Sequence, residues 1–149
     1  MRGRTTARGE REGLIMNQAA SIEKILRDTK TIAVVGFSSQ PQKAGYYVPA
    51  YLQKQGYRVI PVNPFMTDAL GEQAYADLTA VPHAIDLVLI FQRSEKVRPF
   101  VEQAIAVGAK AVWMQLGIVH AEAAALAQAA GLDVVMDACM LVEHQRWAN

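Results

Sequence analysis

Five short apolar runs, set apart by stretches of mixed polarity, do most to limit what this chain can become. They are Thr31–Val35 (TIAVV), Arg58–Val62 (RVIPV), Leu87–Phe91 (LVLIF), Ala111–Met114 (AVWM) and Asp133–Met136 (DVVM). Each is rich in Val and Ile and nearly continuous. A strand with one wet face alternates apolar and polar residues, whereas a continuous run fits a strand covered on both faces. Most segments between the runs have helical character. Tyr47–Gln55 sets Val48, Tyr51 and Leu52 at helical spacing, with Pro49 expected in the first turn and Gly56 as the stop. Ser94–Val107 opens on a capping serine, carries Val97, Val101, Ala104 and Ile105 on one stripe and ends at Gly108, with a regular start near Pro99. Ala121–Ala130 is a strong helix former closed by Gly131, and Ser21–Thr29 reads as a short amphipathic lead-in helix. Between the second and third runs, Asp68–Ala84 is less regular, with a turn at Gly71 and a short helix over Tyr75–Thr79. Strands alternating with helices predict right-handed βαβ units. The expected fold is α/β with three layers: a five-stranded, mostly parallel sheet with helices on both faces.

The chain of 149 residues, 52% hydrophobic and 19% charged, suits one folded domain. No internal repeat or linker divides it, so the domain is expected over residues 18–149. Residues 1–17 read as a disordered tail or a misassigned start, with Met16 as the alternative initiator. Arg2, Arg4, Arg8 and Arg11 outweigh Glu10 and Glu12 there; setting those aside leaves 11 basic and 12 acidic residues. A near-neutral domain lacks the basic face of a nucleic-acid binder. No apolar run approaches the ~20 residues that cross a bilayer, and the tail lacks the apolar stretch of a secretory signal. Cys139 is the single cysteine, which excludes an internal disulfide framework. The expected location is the cytoplasm, with no nucleic-acid or membrane partner.

In an open parallel sheet, ligands bind at the carboxyl ends of the strands, where strand order reverses. The candidates are therefore Gly36–Gln40, Asn63-Pro64, Gln92-Arg93, Gln115–Gly117 and Asp137–Cys139. Gly36 allows a sharp turn and close approach to a phosphate, and Ser38 and Ser39 add hydroxyl donors. Lys43 lies in the same loop, where a cation could meet a phosphate. The second and third glycines of a dinucleotide fingerprint are missing. Val62-Asn63-Pro64 also lacks the acid that bonds the ribose 2′-hydroxyl of NAD, which disfavours that cofactor. NADP stays open on this argument, although its usual arginine is absent from Asn63–Thr67. There is no P-loop and no nucleophile elbow. His83, His120 and His144 lack metal-ligand spacing and read as loop or helix-end residues. Asp137 with Glu143-His144 reads as part of a polar C-terminal helix, an acid–base cluster being the other reading. Met114 is expected in the core and Trp113 at its rim. Cys139 is read as a small buried apolar residue, a reactive thiol being the other reading. No residue set demands catalysis.

Taken together, these strand ends resemble the small, single-domain CoA-binding protein family. That family is similar to the CoA-binding domain of the succinyl-CoA synthetase α subunit. The resemblance runs from Ser21 to Trp147 and rests on IAVVGFSSQPQKAGYYVPAYLQKQGYRVIPVNP, GEQAYADL, IDLVLIFQRSEKV, AVWMQLGI and AGLDVVMDACMLVEHQR. It implies a Rossmann-like fold and non-catalytic binding of coenzyme A, or an acyl-CoA, through the 3′-phospho-ADP part. Ser38, Ser39 and Gln40 would line the phosphate loop with Gly36 and Phe37, and Asn63-Pro64 would sit beside the ribose or adenine. Phe91, Gln92 and Arg93 would border the cofactor, and Gly117 completes the set. Arg93 is the first candidate for a phosphate contact, against a surface ion pair with Glu95, and Lys43 is the second. Many family members have Arg where Ala138 and Gln92 stand. The synthetase's second domain, with its phosphorylated histidine, has no counterpart before Asn149. An NADP-dependent oxidoreductase or nucleotide-linked redox sensor is the alternative function, and a protein partner or homo-oligomer is open.

Overall fold

The structure, a computed structural model, describes the backbone of residues 7–149 and the side chains from Gln18 onward. The tail expected over 1–17 therefore lies outside the residues described in full. The elements are α1 (Ala7–Asp28), β1 (Thr31–Val35), α2 (Ala44–Lys54), β2 (Arg58–Val62), β3 (Asp68–Ala69), β4 (Glu72–Gln73), β5 (Leu87–Ile90), α3 (Val97–Ala106), β6 (Ala111–Met114), α4 (Ala121–Ala129), β7 (Asp133–Val135) and α5 (Met140–Ala148). Single 3-10 turns occupy Leu78–Ala80 and Ser94–Lys96.

Five strands form one wholly parallel sheet in the order β2-β1-β5-β6-β7. At its carboxyl edge Val35 pairs with Val62 on one side and Ile90 on the other, and Ile90 pairs with Met114. The α/β, Rossmann-like architecture expected from the apolar runs is thus the one observed.

Alternation along each strand splits the core in two. Ala33, Val35, Val88, Ile90, Val112 and Met114 face α3 and α4, where Val97, Val101, Ala104 and Ala123 meet them. Ile32, Val34, Leu87, Leu89, Ala111 and Trp113 face the other way, against Ile25 and Leu26 of α1, Val48 and Leu52 of α2, and Met140 of α5. The rim position expected for Trp113 is corrected here: it is fully buried. Its indole N–H donates to the Ala138 carbonyl at 2.8 Å, which satisfies the polar end of a core aromatic.

Other elements depart from expectation by local amounts. The lead-in helix starts upstream of Ser21, and α2 starts at Ala44, so Pro49 lies inside the helix rather than in its first turn. Pro99 falls in the first turn of α3, as expected. Gly71 does turn the chain: with Leu70 it joins β3 to β4, both residues at positive φ (53° and 77°), the requirement of a tight hairpin. The helix expected over Tyr75–Thr79 is instead the 3-10 turn after Asp77, whose carboxylate accepts the Ala80 N–H. Among the described residues no helix is long and apolar enough to cross a membrane.

Candidate functional site

The site is built where β1 and β5 lie side by side and the chain leaves them toward opposite faces of the sheet. That is the switch point of the strand order. Gly36 follows β1 at φ +80°, and a Cβ there would stand 2.3 Å from the Phe91 carbonyl oxygen. No other residue fits without moving backbone. The Gly36 N–H donates to the Val62 carbonyl at 3.2 Å, which ties the turn to β2.

The loop then folds back on α2. The Ser38 N–H donates to the Gly45 carbonyl at 3.1 Å. Within a helix that carbonyl would accept the N–H of the residue four later, but this residue is Pro49, which has none. The helix thus leaves one acceptor free, and the loop takes it. Gly45 admits the loop closely: a Cβ there would lie 3.2 Å from the Gly36 oxygen and 3.3 Å from the Ser38 Cβ. The Ser38 hydroxyl accepts the Gln40 N–H at 3.1 Å, and the Lys43 N–H closes a turn onto the Gln40 carbonyl. Lys43 is the N-cap of α2 and offers no side-chain cap; the Tyr46 N–H turns back onto the Lys43 carbonyl at 2.9 Å, and the Ala44 and Gly45 N–H groups have no acceptor among the described residues.

The result is a pocket of about 560 Å³ lined by Gly36, Phe37, Ser38, Ser39, Lys43, Ala44, Gly45, Asn63 and Phe91. Lys43 is its only ionisable lining side chain. Two hydroxyls, an ammonium and a helix N-terminus are chemistry that suits an anion. A second pocket of about 250 Å³ adjoins it and shares Gly36 and Asn63. Val35, Val62, Pro64, Phe65, Ala76, Gln92 and Phe100 complete that second lining. It is apolar, and Phe65 stands at it 93% exposed. Neither lining includes a carboxylate.

Asn63 stands between the two. Its side-chain N–H donates to the Phe37 carbonyl at 2.8 Å, and its side-chain oxygen accepts the Phe65 N–H at 2.8 Å. Its own N–H donates to the Tyr75 carbonyl at 2.9 Å.

Of the expected site residues, Gly36, Phe37, Ser38, Ser39, Lys43, Asn63, Pro64, Phe91 and Gln92 therefore come together. Gln40 is exposed and supports the loop through its backbone. Arg93 is exposed, precedes the 3-10 turn at Ser94 and lines neither pocket; among the described residues it makes no ion pair with Glu95. Gly117 lies at the end of β6, outside both linings, where its N–H donates to the Asp137 carboxylate at 2.7 Å. The lining residues not expected from the sequence are Val35, Ala44, Gly45, Val62, Phe65, Ala76 and Phe100. Only Gly45 left a signal, a glycine four residues before a proline.

The remaining candidates serve the fold. His120 caps α4 by accepting the Ala123 N–H, in keeping with a helix-end role. His144 is corrected: it is buried, with Nδ1 2.8 Å from the Tyr51 hydroxyl and with Tyr51, Tyr57 and Trp147 edge-on around the ring. Buried Gln115 accepts the Met140 N–H at 3.2 Å, and half-buried Cys139 is the N-cap of α5. A further cavity of about 560 Å³ lies at the amino edge of the sheet among Lys24, Asp28, Asp86, Lys110 and Asp133. Four of its charges are paired internally, Lys24 with Asp133 at 3.0 Å and Lys110 with Asp86 at 3.3 Å, and Asp28 pairs with Arg27 beside it at 3.0 Å. The switch-point pockets, where Lys43 makes no ion pair among the described residues, are the better candidate.

Comparison with known proteins identifies the family of the chain. A family model described as a CoA binding domain matches residues 30–145. The uncharacterized protein YneT of Bacillus subtilis (strain 168) is 38% identical over 125 residues, covering 84% of this chain and 93% of YneT. The solved structure of a hypothetical protein from Pyrococcus horikoshii OT3 is 38% identical with a TM-score of 0.84, over 88% of this chain and 92% of that one. The α subunit of the ADP-forming acetate–CoA ligase II of Pyrococcus furiosus is 40% identical over 60 residues, 40% of this chain but 13% of the ligase subunit.

Proposed function

This chain belongs to the CoA-binding domain family, and from that premise we propose that it binds coenzyme A or an acyl-CoA through the 3′-phospho-ADP part, without chemistry of its own. The observation that carries the reading is the pair of adjoining pockets, one polar and cationic, the other apolar, sharing Gly36 and Asn63. A nucleotide has the same two-part chemistry. Its phosphates fit the hydroxyls of Ser38 and Ser39 and the start of α2, where Lys43 adds a positive charge. Its adenine fits the slot between Pro64, Phe65 and Phe100. Linings without a carboxylate suit a ligand that carries a phosphate on the ribose. The lining residues offer no acid–base pair, which favours holding the ligand over transforming it.

The test is a thermal-shift series with CoA, dephospho-CoA, acetyl-CoA, NADPH, NADH and ATP. At about 100 times its dissociation constant, a ligand stabilises the fold by roughly 2.7 kcal/mol. With about 2 cal/mol/K of unfolding entropy per residue, the midpoint rises by roughly 8 °C. CoA and acetyl-CoA are expected to give the full shift and dephospho-CoA much less. A larger shift with NADPH, or none with CoA, overturns the reading. Lys43→Ala is expected to weaken CoA about tenfold, the loss of one charge-assisted contact. Arg93→Ala is expected to do less, since Lys43 lines the pocket and Arg93 does not.

A further inference from the structure

We infer that Asn63 is the positioning residue that couples the two pockets, holding their walls at the one separation that lets a single ligand span both. The inference rests on the nucleotide reading above and goes beyond it. In dinucleotide-binding sheets the residue after the second strand faces the ribose with a carboxylate. Here the equivalent side chain is committed to backbone on both sides. Its N–H end is bonded to the Phe37 carbonyl in the phosphate loop, and its oxygen to the Phe65 N–H at the wall of the apolar slot. The orientation of the amide is fixed by chemistry, since only the NH2 end can donate to a carbonyl. Asn63 is itself anchored, because its N–H is bonded to Tyr75, downstream of the β3–β4 hairpin. The two loops follow different strands; the Gly36 N–H holds the start of the first to the Val62 carbonyl at the end of β2, and beyond that backbone bond they meet across this one side chain. Gly36, the other shared lining residue, has no side chain with which to tie them.

Aspartate, the usual residue in a dinucleotide site, would keep the Phe65 bond but set a carboxylate oxygen against the Phe37 carbonyl. Alanine would release both loops. The phosphate pocket and the slot would each survive, free to drift relative to one another. A ligand confined to one pocket would notice little, and a ligand spanning both would lose the preorganisation that its affinity depends on.

The test uses the full chain, as wild type, Asn63→Ala and Asn63→Asp, with two readouts. The first is the dissociation constant for CoA, for pyrophosphate alone and for adenosine alone. The second is backbone amide exchange over residues 36–39 and 63–66 without ligand. Expected for Asn63→Ala are a tenfold or greater loss of CoA affinity, fragment affinities within twofold of wild type, and faster exchange in both segments. Expected for Asn63→Asp is faster exchange in residues 36–39 alone. CoA affinity within twofold of wild type in Asn63→Ala, or CoA and both fragments weakened in equal proportion, overturns the proposal. So does exchange in residues 36–39 that neither variant alters. If wild type itself does not bind CoA, the functional reading fails, and the exchange comparison still decides whether Asn63 couples the loops.

Discussion

Pro49 holds the loop after β1 by what it lacks. A residue with an N–H at this position would close the regular helical bond onto the Gly45 carbonyl and compete with Ser38 for it. Pro49→Ala removes a helix breaker worth about 3 kcal/mol but also a buried ring, so these two effects on stability oppose each other. The expected outcome is a melting midpoint within about 3 °C of wild type. CoA affinity is expected to fall roughly threefold to tenfold by titration calorimetry, the loss of one hydrogen bond that fixes the loop. Unchanged affinity would mean that the Ser38 tether survives the competition. Gly36–Ser39 was legible in the sequence because a βα turn after a buried strand has few alternatives. The tether was not, because it depends on α2 starting at Ala44 rather than Tyr47, a shift of under one turn.

At the scale of elements, α5 is fastened to α2 and to the start of β2 through His144. The ring lies among Tyr51, Tyr57 and Trp147 at centroid separations of 5.4 to 5.8 Å, and the Tyr51 hydroxyl completes the seat. Burial pushes the His144 pKa below its ordinary 6.5. The unfolded chain then binds the proton more readily than the folded one. The stability from this seat is present above about pH 6.5 and is lost as pH falls below it. Urea unfolding at pH 7.5 and pH 5.5 should show wild type weaker at the lower pH, and His144→Phe should show a smaller difference. A difference as large as in wild type would assign the pH dependence elsewhere. The helix itself was legible, but the burial of His144 was not, since its partner Tyr51 lies 93 residues earlier. Trp113 is the same case. Full cover over the face of β6 that bears Trp113 comes from helices at both ends of the chain, α1 and α5, and no periodicity within AVWM carries that information.

In the whole molecule, the charged fastening and the two switch-point pockets sit at opposite edges of one sheet. At the amino edge Asp86 accepts the Lys30 and Thr31 N–H groups at 3.0 and 2.9 Å and pairs with Lys110. Burial alone would raise its pKa, but those two N–H groups and the Lys110 ammonium outweigh it, and the net direction is down. Its stabilisation is therefore present above the unfolded carboxylate value near pH 4 and lost as pH falls through the lower folded value. Asp86→Asn is expected to cost about 1–3 kcal/mol by denaturant unfolding at pH 7. It should leave CoA affinity within twofold, and a larger loss would show that the two edges communicate. This polarity explains why topology alone led to most of the residues that line the two pockets: strand ends are readable from sequence, and the reversal of strand order chooses among them. Phe65, Ala76 and Phe100 escaped because they enter the slot from loops and a helix whose side-chain directions only the assembled fold sets.

Phe65 stands nearly bare at the edge of the slot, an aromatic ring held in water by a loop that Asn63 keeps in place. A ligand that lies against it withdraws apolar surface from solvent, and that withdrawal carries a negative heat-capacity change. Association at this protein then becomes more exothermic with every degree of warming, while its entropy turns against it.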